Sequence, residues 1–381
     1  MLKKENLSSI LLFLLVVLES LLILLIILSN KPQELQFESI GASAIANNVE
    51  DKNYELSLFA VGDALIHNSV YNDARTSGTY DFSDMLKNIK PAATLADLSF
   101  YNQETILGGV ELGLSSYPRF NSPVEVGDSF RDAGFNLVSL ANNHTLDKGE
   151  PAIANSIAYW ENTEAITAGS YISSETRNEP KIHTKNGITF AFLAYTDLTN
   201  GIKAPFGKEY LVATYDEDII KEDIKRVRSQ VDVVIVSMHF GSEYTHTPTA
   251  RQKKIANYLA SQEVDIIIGH HPHVIQPVEY IDDTLVIYSL GNFLSGQIKT
   301  NQKVGMAVLL TINKTVKAGI AEVSVKDVKA DLHYTYSKSN AFYEVIPFSM
   351  MTNDKLYNYS SVYEQYKKII DNDNVTIGNV F

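Results

Sequence analysis

Seven short apolar runs recur along this chain, at Leu56 to Val61, Asp97 to Tyr101, Phe135 to Leu140, Ile188 to Tyr195, Val231 to Met238, Asp265 to Ile268 and Leu285 to Leu290. Each is the length of a strand and too short for a core helix. Helical stretches lie between them. Thr249 to Gln262 sets Ile255 and Leu259 four apart on one face with no breaker inside. Ser122-Pro123-Val124-Glu125 has the pattern of a capping box with Pro at the first helical position, and Gly134 is placed to close that helix. Strands alternating with helices predict an α/β architecture whose functional residues sit on loops just after strand ends.

The residues at those ends are polar and capable of chemistry. Asp265-Ile266-Ile267-Ile268 runs straight into Gly269-His270-His271-Pro272-His273, three imidazoles in five residues of a chain that has nine histidines in all. His271 and His273 stand two apart on a turn, so both can address one locus, which is a metal-site pattern. The other ends carry Gly62-Asp63, Asn102-Gln103-Glu104, Asn142-Asn143-His144 with Asp147, His239 with Glu243, and Gly291-Asn292-Phe293. Plainer roles suit some of these. Asn292 is expected to cap a turn, His270 to bond backbone, and His183, His246 and His333 to be surface or packing residues.

Composition narrows the function. A formal net charge of −13 argues against nucleic acid, which needs Lys and Arg to neutralise phosphates. The 21 tyrosines lack the basic stripe of a nucleic-acid platform, and Gly207-Lys208 lacks the spacing of a phosphate loop. With no cysteine, the chain has no thiolate ligand, Cys nucleophile or disulfide, which fits an exported protein. Leu7 to Leu28 is almost wholly aliphatic, interrupted only by Glu19 and serines, and long enough to span a bilayer as a helix of ~20 residues. Lys3 and Lys4 ahead of it predict a single-pass anchor at the cell membrane, N-terminus cytoplasmic and main domain extracellular. The run exceeds a signal-peptide core, and Ala42-Ser43-Ala44 lies far past its end, so an uncleaved anchor is expected over a cleaved leader. The expected organisation is a cytoplasmic tip and anchor over 1–29, a polar tether over 30–53, a main domain over 54–330, and strands plus a helix from Asp354 to Ile370 that complete it over 331–381.

Taken in order, the strand-end motifs from about Leu56 to Gly296 resemble the CapA family of poly-γ-glutamate capsule biosynthesis proteins, in the calcineurin-like metallophosphoesterase superfamily. The resemblance implies a metallophosphatase-like layered α/β/β/α sandwich, here preceded by one N-terminal transmembrane helix. It implies that Asp63, Glu104, Asn143, His239, His271 and His273 hold metal, with Glu104 in the place of a bridging aspartate. It also implies that His144 polarises or protonates the substrate; Asp147, three residues on, is its plausible orienter. Asn102, Glu243, His270 and Asn292 are expected to support these residues. The histidine usual two residues after the first aspartate is absent, because Leu65 stands there; His67 is a candidate replacement if the loop turns back.

Carboxylate, amide oxygen and imidazole without sulfur suit Mn, Fe or Zn. A dinuclear divalent centre with ions ~3.5 to 4 Å apart is expected to act on phosphorus esters. The implied role is assembly, export or anchoring of an anionic envelope polymer, poly-γ-glutamate or a related one, alongside other polymer-synthase subunits. The alternatives are a free-standing extracellular phosphoesterase, or a metal-binding synthase subunit without catalysis.

Overall fold

The computed structural model describes residues 51–381 together with two isolated positions, Val17 and Leu21. The expected membrane anchor and tether, up to residue 50, otherwise lie outside the described residues. Among the described residues no helix is long and apolar enough to cross a membrane. Residues 51–381 form one compact unit.

Among the described residues fifteen strands follow one another as β1 (Lys52–Leu65), β2 (Leu98–Asn102), β3 (Leu137–Ser139), β4 (Ile166–Ala168), β5 (Ile182–Lys185), β6 (Ile188–Thr196), β7 (Val233–His239) and β8 (Ile266–His270), then β9 (Val278–Ile281), β10 (Thr284–Ile287), β11 (Asn292–Ser295), β12 (Val304–Lys317), β13 (Ile320–Lys338), β14 (Ala341–Pro347) and β15 (Thr376–Ile377). The described helices of eight residues or more are α1 (Glu125–Asp132), α2 (Gly149–Glu161), α3 (Glu217–Arg228), α4 (Ala250–Ser261) and α5 (Tyr359–Ile370). They build two sheets. One runs β14-β13-β12-β1-β2-β3-β4, with β11 also on β1 and β15 on β13; the other runs β5-β6-β7-β8-β10-β9.

Side chains alternate across a strand, so each strand feeds two layers. In β1, Leu56, Leu58 and Ala60 enter a core between the sheets, where they join Phe190, Ile235 and Ile268. Phe59 and Val61 point the other way, into a cluster with Phe130 of α1 and Ile153 and Trp160 of α2. On the far side of the second sheet, Val234, Val236 and Ile267 pack against Ile220 and Ile224 of α3 and Ile255 and Leu259 of α4. The order is helix, sheet, sheet, helix. Because both faces of every central strand are covered, these runs are apolar throughout and do not alternate with polar residues.

Several local expectations need correction. The first strand begins at Lys52, so the folded unit starts ahead of residue 54. Ser122 does not cap α1: Val124 occupies the cap position without a side-chain bond, and the Ser122 hydroxyl donates to Thr105 Oγ1 at 2.7 Å. Gly134 does close that helix, at φ +107, with Phe135 N–H returning to Phe130 O. The last helix starts at Tyr359, not Asp354, because Asn358 in the left-handed conformation at its N-cap separates it from the turns before. After Val325 the chain stays in the first sheet, where β12, β13 and β14 pair antiparallel, and Tyr366 and Ile370 of α5 join the intersheet core.

Candidate metal centre

Strand register brings the motifs to one rim. In the first sheet Asp63 of β1 is paired with Asn102 of β2 and with Asn292 of β11; in the second, His239 of β7 is paired with His270 of β8. Two glycines allow the strand ends to close up. A Cβ on Gly62 would stand 1.8 Å from Gly291 O, and one on Gly269 would stand 2.1 Å from Tyr288 O. Only a residue without a side chain fits either crossing. His271 is held at φ 97 and His273 at φ 55, positive values uncommon for side-chain-bearing residues, which turn both rings back over the strand ends.

The ligand-type residues converge and are buried. Glu104, His271 and His273 each offer an atom within 4.8 Å of the others. His239 Nε2 stands 2.9 Å from Asn143 Oδ1 and 3.7 Å from Glu104 Oε1, and His273 Nε2 stands 3.6 Å from Glu104 Oε1. Asp63 reaches His273 Nδ1 at 3.3 Å, and its other oxygen lies 3.2 Å from His270 Nδ1. The rings of His239 and His271 are 4.9 Å apart.

Asp63 Oδ2, both oxygens of Glu104 and His271 Nδ1 are buried with no hydrogen-bond partner among the described residues. An unsatisfied buried polar atom costs roughly 1 to 3 kcal/mol, so several facing one another need a partner that can satisfy them together. A divalent cation fits this donor set, which is carboxylate, amide oxygen and imidazole.

The electrostatics agree. Burial pushes Glu104 well above the usual carboxylate range, and Asp63, Glu243 and Asp147 add to it against His273. Burial acts the same way on Asp63, yet His270 and His273 hold it well below that range. Burial and then His273 lower His271 to about 3, with His144 adding to the effect, so His271 is neutral and one ring nitrogen keeps a lone pair available. Burial opposes protonation of His273, but Glu104 and Asp63 raise it to about 9. Two carboxylates driven apart in this way are the pattern of a candidate functional site, and a cation beside Glu104 would favour its ionised form.

The supporting residues divide sharply. His144 Nδ1–H donates to Asp147 Oδ2 at 2.7 Å, and the same oxygen accepts from Phe120 N–H at 2.6 Å. Asp147 therefore fixes the ring of His144 with Nδ1 as the donor, leaving Nε2 outside that bond. Asn102 Nδ2 donates to Asp63 Oδ1 at 2.8 Å and lies 3.4 Å from His239 Nδ1. Asn292 is no turn cap. Its Nδ2 donates to Gln302 O at 2.9 Å and Gln297 Oε1 at 2.8 Å, so its Oδ1 accepts the Nδ1 proton of His273 at 3.0 Å. His273 Nε2 is thereby the nitrogen that faces Glu104, and it would offer a lone pair to a cation that displaces its proton.

Three expectations fail. His67 Nδ1 is taken up with backbone, 2.9 Å from Leu65 O and 3.2 Å from Gly296 N, and its ring lies edge-on to Phe120. Glu243 is exposed and does not orient His239, which Asn102 and Asn143 flank. His270 bonds no backbone group. Sequence reasoning also missed Asn200, whose Oδ1 accepts from Asn143 Nδ2 at 3.3 Å, and Phe120, whose backbone holds Asp147. The Asn200-Gly201 turn pair marked a bend there but not what it touches.

The chain shares 32% identity over 169 residues with the PGA biosynthesis protein CapA of Bacillus subtilis (strain 168), covering 44% of each. It shares 28% over 183 residues with the capsule biosynthesis protein CapA of Bacillus anthracis, covering 47% of this chain and 44% of that one. The match thus spans less than half the length of either relative. Among solved structures, a Staphylococcus aureus protein described as a candidate 5′-nucleotidase in complex with alpha-ketoglutarate superposes with a TM-score of 0.44 and 15% identity, covering 82% of this chain and 58% of that one, too loosely to carry any argument. The model of the bacterial capsule synthesis protein family PGA_cap matches residues 57–297, well over half of the chain and the whole stretch from β1 to β11 that supplies the rim, and the chain belongs to that family.

Proposed function

We propose that this chain is a CapA-type protein of capsule or envelope-polymer synthesis whose rim holds divalent metal and cleaves a phosphoester of the polymer or of its carrier. The observation that carries this reading is the meeting of Glu104, His271 and His273 within 4.8 Å, with both Glu104 oxygens buried and unpartnered. Bound divalent ions supply Lewis acidity and a water acidic enough to act as hydroxide near neutral pH. The chain's own residues do the rest. Asp63, Glu104, Asn143, His239, His271 and His273 hold the centre, and His144, fixed by Asp147, delivers a proton from Nε2 to the leaving oxygen.

The partner in this reading is an anionic polymer, with other synthase subunits beside it. A chain of net charge −13 repels such a polymer except where bound cations or local Lys and Arg offset it, so the metal also serves as the point of attraction. The apolar segment Leu7 to Leu28 is the proposed anchor, with the folded unit outside the membrane.

The full-length chain loaded with Mn is expected to hydrolyse an aryl phosphate or phosphodiester, and His271→Ala to lower kcat/KM by ~100-fold or more, as loss of a metal ligand should. A wild-type chain that binds metal but is inert across Mn, Fe and Zn and across mono- and diesters would assign the centre a binding role only. Deleting the gene should reduce surface polymer.

A further inference from the structure

Superfamily members place a histidine two residues after the first aspartate; this chain has Leu65, which is buried and cannot ligate. We propose that His270 supplies the missing imidazole, completing from the second sheet the metal position that Asp63 begins in the first. The inference rests on the metal-centre reading above.

Three observations carry it. First, His270 is fully buried at the end of β8, beside His239 in register and facing the ends of β1 and β2. Second, its Nδ1 lies 3.2 Å from Asp63 Oδ1, yet among the described residues neither ring nitrogen has a hydrogen-bond partner of acceptable geometry. Donors that share one ion at ~2.1 Å stand ~3.0 Å apart in an octahedral site and ~3.4 Å in a tetrahedral one, without pointing at each other. The 3.2 Å separation of Asp63 Oδ1 and His270 Nδ1 falls in that interval. Third, the ring stacks on Phe100 in the intersheet core at 5.2 Å, a place where an apolar side chain would pack as well and leave no polar atom unsatisfied. An imidazole there needs a partner, and Asp63 alone does not provide one.

His67, the other candidate, turns its Nδ1 to Leu65 O and Gly296 N, outside the cluster. The ligands then fall into two sets that share Glu104. Asp63, His270 and His273 complete one, and Asn143, His239 and His271 complete the other.

Zn-loaded crystals of the wild-type protein should show an anomalous peak about 2.1 Å from a ring nitrogen of His270. The full-length wild type should retain about two ions per chain after removal of excess metal, His270→Ala about one, and His67→Ala about two. The crystal measurement uses the wild type and so does not depend on the folding of a variant. A peak remote from His270, two ions retained by His270→Ala, an ion lost from His67→Ala, or a wild type that holds no metal would each overturn the assignment. The proposed reaction fails separately: wild type with both ions in place that cleaves no phosphoester leaves His270 a ligand and removes the hydrolysis. Hydrolysis with full stoichiometry in His270→Ala does the reverse.

Discussion

His333 shows how a single residue sets a pH limit on this fold. It is fully buried in β13 between Phe293 and Phe381, neither ring nitrogen has a partner among the described residues, and burial lowers it to about 3. Unfolded, it would take a proton near pH ~6.5. Between those values the unfolded state binds the proton and the folded state does not, so stability is full above about pH 6.5 and falls as the pH drops toward 3. Urea midpoints measured from pH 7 to pH 4 should fall less steeply in His333→Leu than in wild type; equal slopes would place the acid sensitivity elsewhere. Asn292 acts at the same scale but on the metal site. Because its amide hydrogens are committed to Gln302 O and Gln297 Oε1, its oxygen must face His273. Asn292→Ala should weaken metal binding by ~10 to 100-fold in calorimetric titration while leaving the fold intact. Its residue type in the sequence suited a turn cap equally well, and only the partners brought by β11 and the segment after it distinguish the two roles.

Elements were legible where local chemistry decides them. Helix α4 carries its own start signal: Thr249 accepts from Gln252 N–H, and the Gln252 side chain returns to the Thr249 N–H at 2.9 Å. Thr249→Ala should cost about 1 kcal/mol in urea denaturation. The similar pattern at Ser122 misled, because a hydroxyl partner from the distant Thr105 took the serine away from the helix end. Gly269 belongs to this scale as well. It follows the apolar residues of β8 as though it only ended a strand, but its Cα faces the carbonyl of Tyr288 so closely that Gly269→Ala should destabilise the chain by about 3 kcal/mol or more. A milder loss would mean that β8 and the segment after β10 can separate without cost.

Across the whole molecule, the rim is assembled from both sheets, and on the proposed reading its buried donors would couple folding to metal binding. Adding Mn or Zn should raise the thermal midpoint with concentration, by an amount equivalent to about 2.7 kcal/mol at 100 times Kd, and a chelator should reverse it. A midpoint indifferent to both would remove the metal centre. The sequence by itself determined the seven apolar runs that became strands, their alternation with helices and the six strand-end motifs, because apolar runs and the residues that interrupt them are local properties. Tertiary structure alone decided that His270 faces Asp63, that His67 turns to the backbone, that Asn200 steadies Asn143 and that Glu243 stays in solvent. Those outcomes depend on strand register and on which segment lies opposite, and no local stretch of residues records the position of a partner brought in by the fold.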